Sequence, residues 1–110
     1  MLVDARNVLR SRWPNVPERE LVERCRSWAE QAGVRATIVF DGSAPEDAAD
    51  VVGTLGESAD EWIARRAGEL RADGGPFWLV TSDRALRADA GRGAERTIGG
   101  GAFLRELGLA

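Results

Sequence analysis

Short apolar runs alternate with longer amphipathic stretches along the chain. The runs at 1–3, 36–40 and 77–81 predict buried strands, and weaker runs at 51–52 and 95–98 predict two more. Amphipathic stretches predict helices from 17 to 32, from 58 to about 70, over 84–90 and over 102–107. This alternation predicts an α/β fold with a parallel sheet, right-handed crossovers and helices on both faces.

Local signals mark several helix ends. Pro17 suits the first position of a helix, and Gly33 suits the residue after its last turn. Ser58, with Glu61 three residues later, forms a capping box at the start of the next long helix. Residues 5–16 are predicted to be a loop, and the final helix is predicted to follow three consecutive glycines.

The length and composition are typical of one globular domain over residues 1–110. Hydrophobic residues make up 44% of the chain and charged residues 30%, which argues against disorder. No apolar run reaches the roughly 18 residues of a membrane span, and the N-terminus does not resemble a signal peptide. The single cysteine, Cys25, cannot form an internal disulfide. We expect a cytoplasmic protein that does not enter a membrane.

The charged residues exclude several kinds of chemistry. All 15 basic residues are arginine, and 18 acidic residues give a net charge of −3. Without lysine there is no phosphate-loop lysine, no Schiff base, and no site of the receiver or haloacid-dehalogenase type. Without histidine or tyrosine, acid–base and metal chemistry falls mainly to carboxylates and water. Because the balance is acidic, binding of nucleic acid would need a local arginine patch.

Four aspartates stand where strand-like runs end or where a helix begins: Asp4, Asp41, Asp60 and Asp83. The carboxyl ends of parallel strands meet at one edge of a sheet, so we expect these side chains in one crevice. Each alone is also explained as a helix cap or a turn residue. Together at close range they would repel one another, and Mg²⁺ or Mn²⁺ would relieve that repulsion. Such ions activate water and neutralise phosphoryl oxygens, which points to phosphodiester hydrolysis without histidine.

Polar and aromatic side chains near this edge are candidates for substrate binding. Arg6, Arg10 and Arg12 either hold phosphates there or form a solvated loop. Asn7 either contacts a carboxylate or a phosphate, or it only makes a turn. Trp13 is a candidate for stacking on a base, whereas the other three tryptophans are expected in the core.

Five blocks of sequence occur in a familiar order. They are Leu-Val-Asp-x-x-Asn at 2–7, Val-Phe-Asp-Gly at 39–42, Gly-Glu-Ser-Ala-Asp-Glu-Trp-Ile at 56–63, Val-Thr-Ser-Asp-Arg at 80–84 and Gly-Gly-Ala-Phe-Leu at 100–104. This series resembles the NYN domain, particularly its YacP-like branch within the PIN-like nuclease superfamily. The resemblance spans nearly the whole chain. It implies a PIN-like α/β/α sandwich that cleaves RNA with Mg²⁺ or Mn²⁺ held by acids.

By position, the resemblance implies six functional residues: the metal-holding catalytic acids Asp4, Asp41, Asp60 and Asp83, and the phosphate-contacting or supporting Asn7 and Ser82. It also implies a role in RNA decay near the ribosome. The first block departs from the family's usual Asp-Gly-Tyr-Asn, because it reads Asp4-Ala5-Arg6-Asn7. Alanine is stiffer than glycine and arginine replaces an aromatic residue, so we expect substrate positioning to be altered or lost.

The leading hypothesis is therefore a metal-dependent ribonuclease, with an endonuclease acting on single-stranded or flexible RNA favoured. The alternative is a noncatalytic RNA- or protein-binding module on the same scaffold, motivated by the altered first block and the acidic net charge. A phosphatase or small-nucleotide hydrolase that uses the same acids is a third hypothesis.

Overall fold

The computed structural model describes residues 1–110, in which five strands and five helices follow one another. The strands are β1 (Leu2–Asp4), β2 (Thr37–Phe40), β3 (Val51–Gly53), β4 (Trp78–Val80) and β5 (Arg96–Ile98). The helices are α1 (Ala5–Arg10), α2 (Glu18–Ala32), α3 (Ala59–Ala72), α4 (Arg84–Asp89) and α5 (Gly100–Glu106). None of the helices has the length and apolar character needed to span a bilayer.

The strands form one sheet in the order β3-β2-β1-β4-β5. Every pair of neighbouring strands is parallel. The chain therefore starts in the middle, builds outward to β3, and then returns through α3 to add β4 and β5 on the other side of β1. This reversal creates a switch point at the carboxyl ends of β1 and β4, the usual place for a ligand site in such sheets.

Helices cover both faces of the sheet. α1, α2 and α5 pack on one face around 17 buried residues, which include Val3 and Phe103. α3 and α4 pack on the other face around nine buried residues, which include Leu2 and Ile63. Consecutive strand residues such as Leu2 and Val3 enter opposite clusters, because side chains alternate along a strand. The predicted three-layer α/β/α architecture with a parallel sheet is confirmed.

The helix ends follow the local signals in the sequence. Pro17 is the cap immediately before α2 rather than its predicted first residue, and Gly33 ends that helix in the left-handed region with a φ of 71°. The Ser58 hydroxyl accepts a hydrogen bond from the Glu61 amide at 3.1 Å and so caps α3. This cap fixes the start of the helix that carries Asp60.

The prediction of a loop over 5–16 is wrong in its first half. Ala5–Arg10 forms α1, which follows β1 without an intervening loop. Ala5, Val8 and Leu9 share one side of α1 and are buried against the sheet. This spacing is helical, but six residues make too short a pattern to distinguish a helix from a loop in the sequence.

The final helix also begins earlier than predicted. α5 starts at Gly100, with Gly99 as its cap, rather than at Ala102. A Cβ on Gly100 would lie 2.9 Å from the side-chain oxygen of Asn7 and closer still to the hydroxyl of Ser11. A side chain here would force Ser11 and Asn7 to shift, so glycine favours the close approach of α1 and α5, and it does not delay the helix.

Three tryptophans expected in the core are only half-buried: Trp28, Trp62 and Trp78. The rings of Trp28 and Trp78 pack with their centroids 6.0 Å apart. Their indole N–H groups donate to Glu106 at 3.4 Å and to Glu95 at 3.0 Å. Because each indole needs a polar partner for its N–H, these rings lie at the rim of the core.

Candidate active site

The four predicted aspartates all lie on the side of the sheet where the strands end. Asp4 is the last residue of β1, and Asp41 directly follows β2. Asp83 lies three residues after β4, and Asp60 is in the first turn of α3. Neighbouring parallel strands are about 4.8 Å apart, so the ends of β2, β1 and β4 are close together. We call this side of the molecule, defined by the four aspartates, the acidic edge.

Asp4 is the buried member of the acidic edge, with 5% of its surface exposed. Its Oδ2 accepts a hydrogen bond at 3.0 Å from the hydroxyl of Thr81, which is fully buried. Burial raises the pKa of Asp4 and the charge of Asp60 adds to the rise, while the Thr81 bond and the charge of Arg10 oppose it. No arginine forms a salt bridge with Asp4. The ionised carboxylate is therefore costly to keep in this position.

Asp60 links the four carboxylates electrostatically. Desolvation raises its pKa, and the negative charges of Asp83 and Asp41 raise it further. The charge of Asp60 in turn contributes to the raised pKa of Asp4. Arg10 lowers both pKa values, so its guanidinium lies within electrostatic range of both carboxylates.

Thr81 connects Asp4 to the turn that carries Asp83. Its hydroxyl donates to Asp4 and accepts the Asp83 N–H at 3.1 Å. The Asp83 carboxylate accepts the Leu86 N–H at 2.9 Å and so caps α4. Thr81 is a site residue that is not among those predicted from the sequence. The available signal was a hydroxyl residue at the end of an apolar run, directly before Ser82-Asp83.

Asn7 and Ser82 join three elements behind the acidic edge. The side-chain oxygen of Asn7 accepts the Ser82 N–H at 2.8 Å, and the Ser82 hydroxyl accepts the Gly100 N–H at 2.8 Å. The Ser11 hydroxyl donates to the backbone carbonyl of Asn7 at 2.8 Å. These bonds tie α1 and the start of α5 to the turn between β4 and α4. Contact of Asn7 and Ser82 with a substrate phosphate stays a prediction.

The three predicted phosphate-binding arginines are not in equivalent positions. Arg6 donates through Nε to the Asp41 carbonyl at 3.0 Å, and Arg10 donates through Nε to the Arg6 carbonyl at 3.3 Å. Both side chains are exposed beside the acidic edge. Arg12 instead donates to the carbonyl of Leu109, beyond the end of α5. Arg6 and Arg10 thus lie beside the aspartates, whereas Arg12 is hydrogen-bonded to the C-terminal segment.

The metal cluster expected from the sequence stays a prediction. As the side chains stand, no group of three or more carboxylate or cysteine side chains is placed to hold one ion. The donors at the acidic edge are nevertheless all oxygens, which are the ligands that Mg²⁺ and Mn²⁺ prefer. Mg²⁺ commonly takes one or two carboxylates, and waters and substrate phosphates complete its shell. Asp4 and Asp60, which are coupled through their charges, suit that mode of binding.

The raised pKa values predict how the stability of the metal-free protein depends on pH. In the folded protein Asp4 and Asp60 have pKa values above the ordinary 3.8. There is therefore a range of pH in which both groups are protonated in the folded protein but ionised in the unfolded chain. These two groups therefore destabilise the fold at pH 7, and the penalty disappears as pH falls through the raised pKa values. Asp4→Asn should raise the metal-free Tm at pH 7, because it removes the charge that is costly to bury. This gain should shrink toward pH 4 in thermal melts, and a gain independent of pH would contradict the assignment.

Comparisons with known proteins support the fold. No family model matches the chain, and no curated protein matches it significantly. Among the solved structures, a mutant of Rae1 (YacP) from Bacillus subtilis matches with 27% identity and a TM-score of 0.75, over 97% of this chain and 73% of that one. A second structure of Rae1 (YacP) from Bacillus subtilis matches with 23% identity and a TM-score of 0.70, over 97% and 72%. The chain therefore has a YacP-like fold.

Proposed function

We propose that this protein is a divalent-metal-dependent ribonuclease, an endonuclease that acts on single-stranded or flexible RNA. The main support is the buried Asp4 carboxylate at the switch point of a YacP-like fold, where it is bonded to Thr81 and has no salt-bridge partner. A buried carboxylate of this kind costs stability, and a bound cation would offset that cost. Stability given up at a functional site in this way is common in enzymes.

In this proposal each of the four aspartates has a role at the metal site. Asp4, Asp60 and Asp83 would hold the metal, and Asp41 would help to hold it or would orient the attacking water. When bound, Mg²⁺ or Mn²⁺ supplies hydroxide at neutral pH and offsets negative charge on the phosphoryl oxygens. Thr81 keeps the Asp4 carboxylate in a fixed orientation for this purpose.

The arginines at the acidic edge would receive the phosphates. Arg10 lies within electrostatic range of Asp4 and Asp60, so it can pair with a phosphate held near these carboxylates. Arg6 is anchored beside Asp41 through its Nε, and this bond leaves its terminal nitrogens as further donors. The two residues form the local arginine patch that an acidic protein needs for binding nucleic acid.

Single-stranded RNA suits this site better than a duplex. Its bases can be splayed away from the backbone, which lets the phosphodiester approach carboxylates at a sheet edge. Trp13 is 85% exposed, so its ring is free to stack on a base. A cytoplasmic setting belongs to the proposal because the single cysteine, Cys25, suits a reducing compartment. An association with the ribosome belongs to it through the sequence resemblance alone.

Cleavage of a labelled RNA panel tests the proposal. Purified protein is incubated with single-stranded, hairpin and duplex RNAs, in Mn²⁺ or in excess chelator. We expect internal cleavage of the single-stranded RNA in Mn²⁺ only, and slower cleavage of the duplex. Intact RNA in both conditions would contradict the proposal. Release of phosphate from nucleotides, with RNA left intact, would favour the phosphatase hypothesis.

A noncatalytic RNA- or protein-binding module remains the second candidate. Two observations favour it: the Ala5-Arg6 pair in the first block, and the lack of any three acids placed around one ion. Mn²⁺ titration followed by thermal melting separates the two candidates. A saturable rise in Tm on addition of Mn²⁺ supports the enzyme. RNA binding together with a Tm that Mn²⁺ does not change supports the module.

A further inference from the structure

Leu55 combines two unusual features. It is the one residue other than glycine with a positive φ, which is 55°. It is also one of two large hydrophobic side chains exposed to solvent, with 79% of its surface accessible. The left-handed backbone is unfavourable for leucine, and glycine or asparagine is the usual occupant. Leu55 belongs to neither buried cluster, so its side chain contributes little to folding.

Hydrogen bonds to residues 40–42 and to Glu57 fix the turn that carries Leu55. The Leu55 N–H donates to the Gly42 carbonyl at 3.2 Å, and the Thr54 N–H donates to the Phe40 carbonyl at 3.1 Å. The Thr54 hydroxyl accepts the Gly42 N–H at 3.3 Å and donates to the Glu57 carbonyl at 2.6 Å. These bonds impose the left-handed conformation on Leu55. Such strain, maintained by its surroundings, is often found at functional sites.

The same bonds place Leu55 at the acidic edge. Gly42, which accepts the Leu55 amide, directly follows Asp41. Asp60 lies five residues after Leu55, in the first turn of α3. A molecule bound at the acidic edge would therefore meet one exposed apolar side chain beside the carboxylates.

We propose that Leu55 contacts the face of a nucleobase in an RNA strand bound along the acidic edge. The inference rests on the proposed binding of RNA at that edge. Phosphates and ribose hydroxyls are polar, so the base face is the part of RNA that gains from contact with leucine. Leucine has no hydrogen-bonding group on its side chain, so the contact does not depend on base sequence. The contact positions the adjoining phosphodiester against the aspartates.

A protein partner fits this position less well than RNA. The core of a protein interface is a contiguous, well-packed patch that is depleted in charged residues. Leu55 is instead one exposed apolar side chain, followed by Gly56 and Glu57 and close to Asp41. Leu55 offers one apolar contact beside the carboxylates that would bind a metal. This arrangement suits a single base of a nucleic acid.

Two substitutions separate the side chain from the turn. Leu55→Asn removes the apolar group while keeping a residue that tolerates the left-handed backbone. Leu55→Met keeps an apolar group of similar volume and retains the backbone strain. Affinity is measured by fluorescence anisotropy with a labelled single-stranded RNA 12-mer and with the same oligonucleotide made abasic. Ca²⁺ replaces Mn²⁺, and gels confirm that the RNA stays intact.

Leu55→Asn should weaken binding of the normal RNA about fivefold, while Leu55→Met keeps the parental affinity. Against the abasic RNA, the parent and Leu55→Asn should bind equally. The Tm of Leu55→Asn should equal or exceed that of the parent, which excludes unfolding as the cause.

Equal affinity of the parent and Leu55→Asn for the normal RNA would overturn the inference. A loss of affinity that persists on the abasic RNA would also overturn it. Loss of self-association or of a protein contact, with RNA affinity unchanged, would assign Leu55 to a protein interface instead. A parent that binds this RNA in Ca²⁺ but leaves it intact in Mn²⁺ would end the nuclease proposal but not the role of Leu55, whereas a parent that binds no RNA overturns both.

Discussion

Asp4→Asn should reduce RNA cleavage about 10³-fold or more without unfolding the protein. Asparagine can still accept the Thr81 hydrogen bond through its side-chain oxygen, so the local packing is preserved. The substitution removes the negative charge with which Asp4 would hold a cation. Initial rates on labelled single-stranded RNA in Mn²⁺, at equal concentrations of the parent and the variant, measure the effect.

Asp73→Asn is the matched control for this substitution. Asp73 is exposed at the C-terminal end of α3, about 20 Å along the helix from Asp60. Its loss of charge is the same, but it lies far from the acidic edge, so the control should cleave RNA at the parental rate. If Asp4→Asn also cleaves at the parental rate, with contaminating nucleases excluded, Asp4 is not part of the active site.

Asp83→Asn should cause a loss of cleavage of similar size, for a chemical rather than a structural reason. Asparagine is as good a helix cap as aspartate, so the bond from the Leu86 amide should survive. The Tm should therefore change little, while the charge needed at the metal site is lost. Rates on labelled RNA and thermal melts of the same preparation give both quantities.

Asp83→Ala separates capping from catalysis. It should lose cleavage and also destabilise the fold by about 1 kcal/mol, because the amides at the start of α4 lose their cap. Full activity in Asp83→Asn together with reduced activity in Asp83→Ala would assign Asp83 to the cap alone.

Much of the fold could be predicted because its signals are local. A buried run such as Thr37–Phe40 forms a strand, and Ser58 with Glu61 starts a helix, whatever the rest of the chain does. The strand order has no local signal, because no feature of the run at 78–80 indicates that this strand pairs with β1 rather than with β3. α1 was missed because six residues carry too little periodicity.

The sequence predicts which side of the sheet carries the four aspartates, but not the contacts that they make there. Parallel strands bring Asp4 and Asp83 to one side of the sheet in any order of strands. The burial of Asp4 and its bond to Thr81 join residues 77 positions apart, and no local pattern encodes that contact. The bond from Arg12 to Leu109 spans 97 positions and has no local signal for the same reason, and contact of Arg12 with a phosphate stays a prediction.

The central claim is that Asp4 and Asp60 share a divalent cation at the acidic edge. Anomalous diffraction at the manganese edge, from crystals grown with Mn²⁺, tests it most directly. The account predicts an anomalous peak with carboxylate oxygens of Asp4 and Asp60 at about 2.1 Å, the distance typical of a small hard cation. Crystals of the parent that take up Mn²⁺ only away from the acidic edge, or take up none, would contradict it.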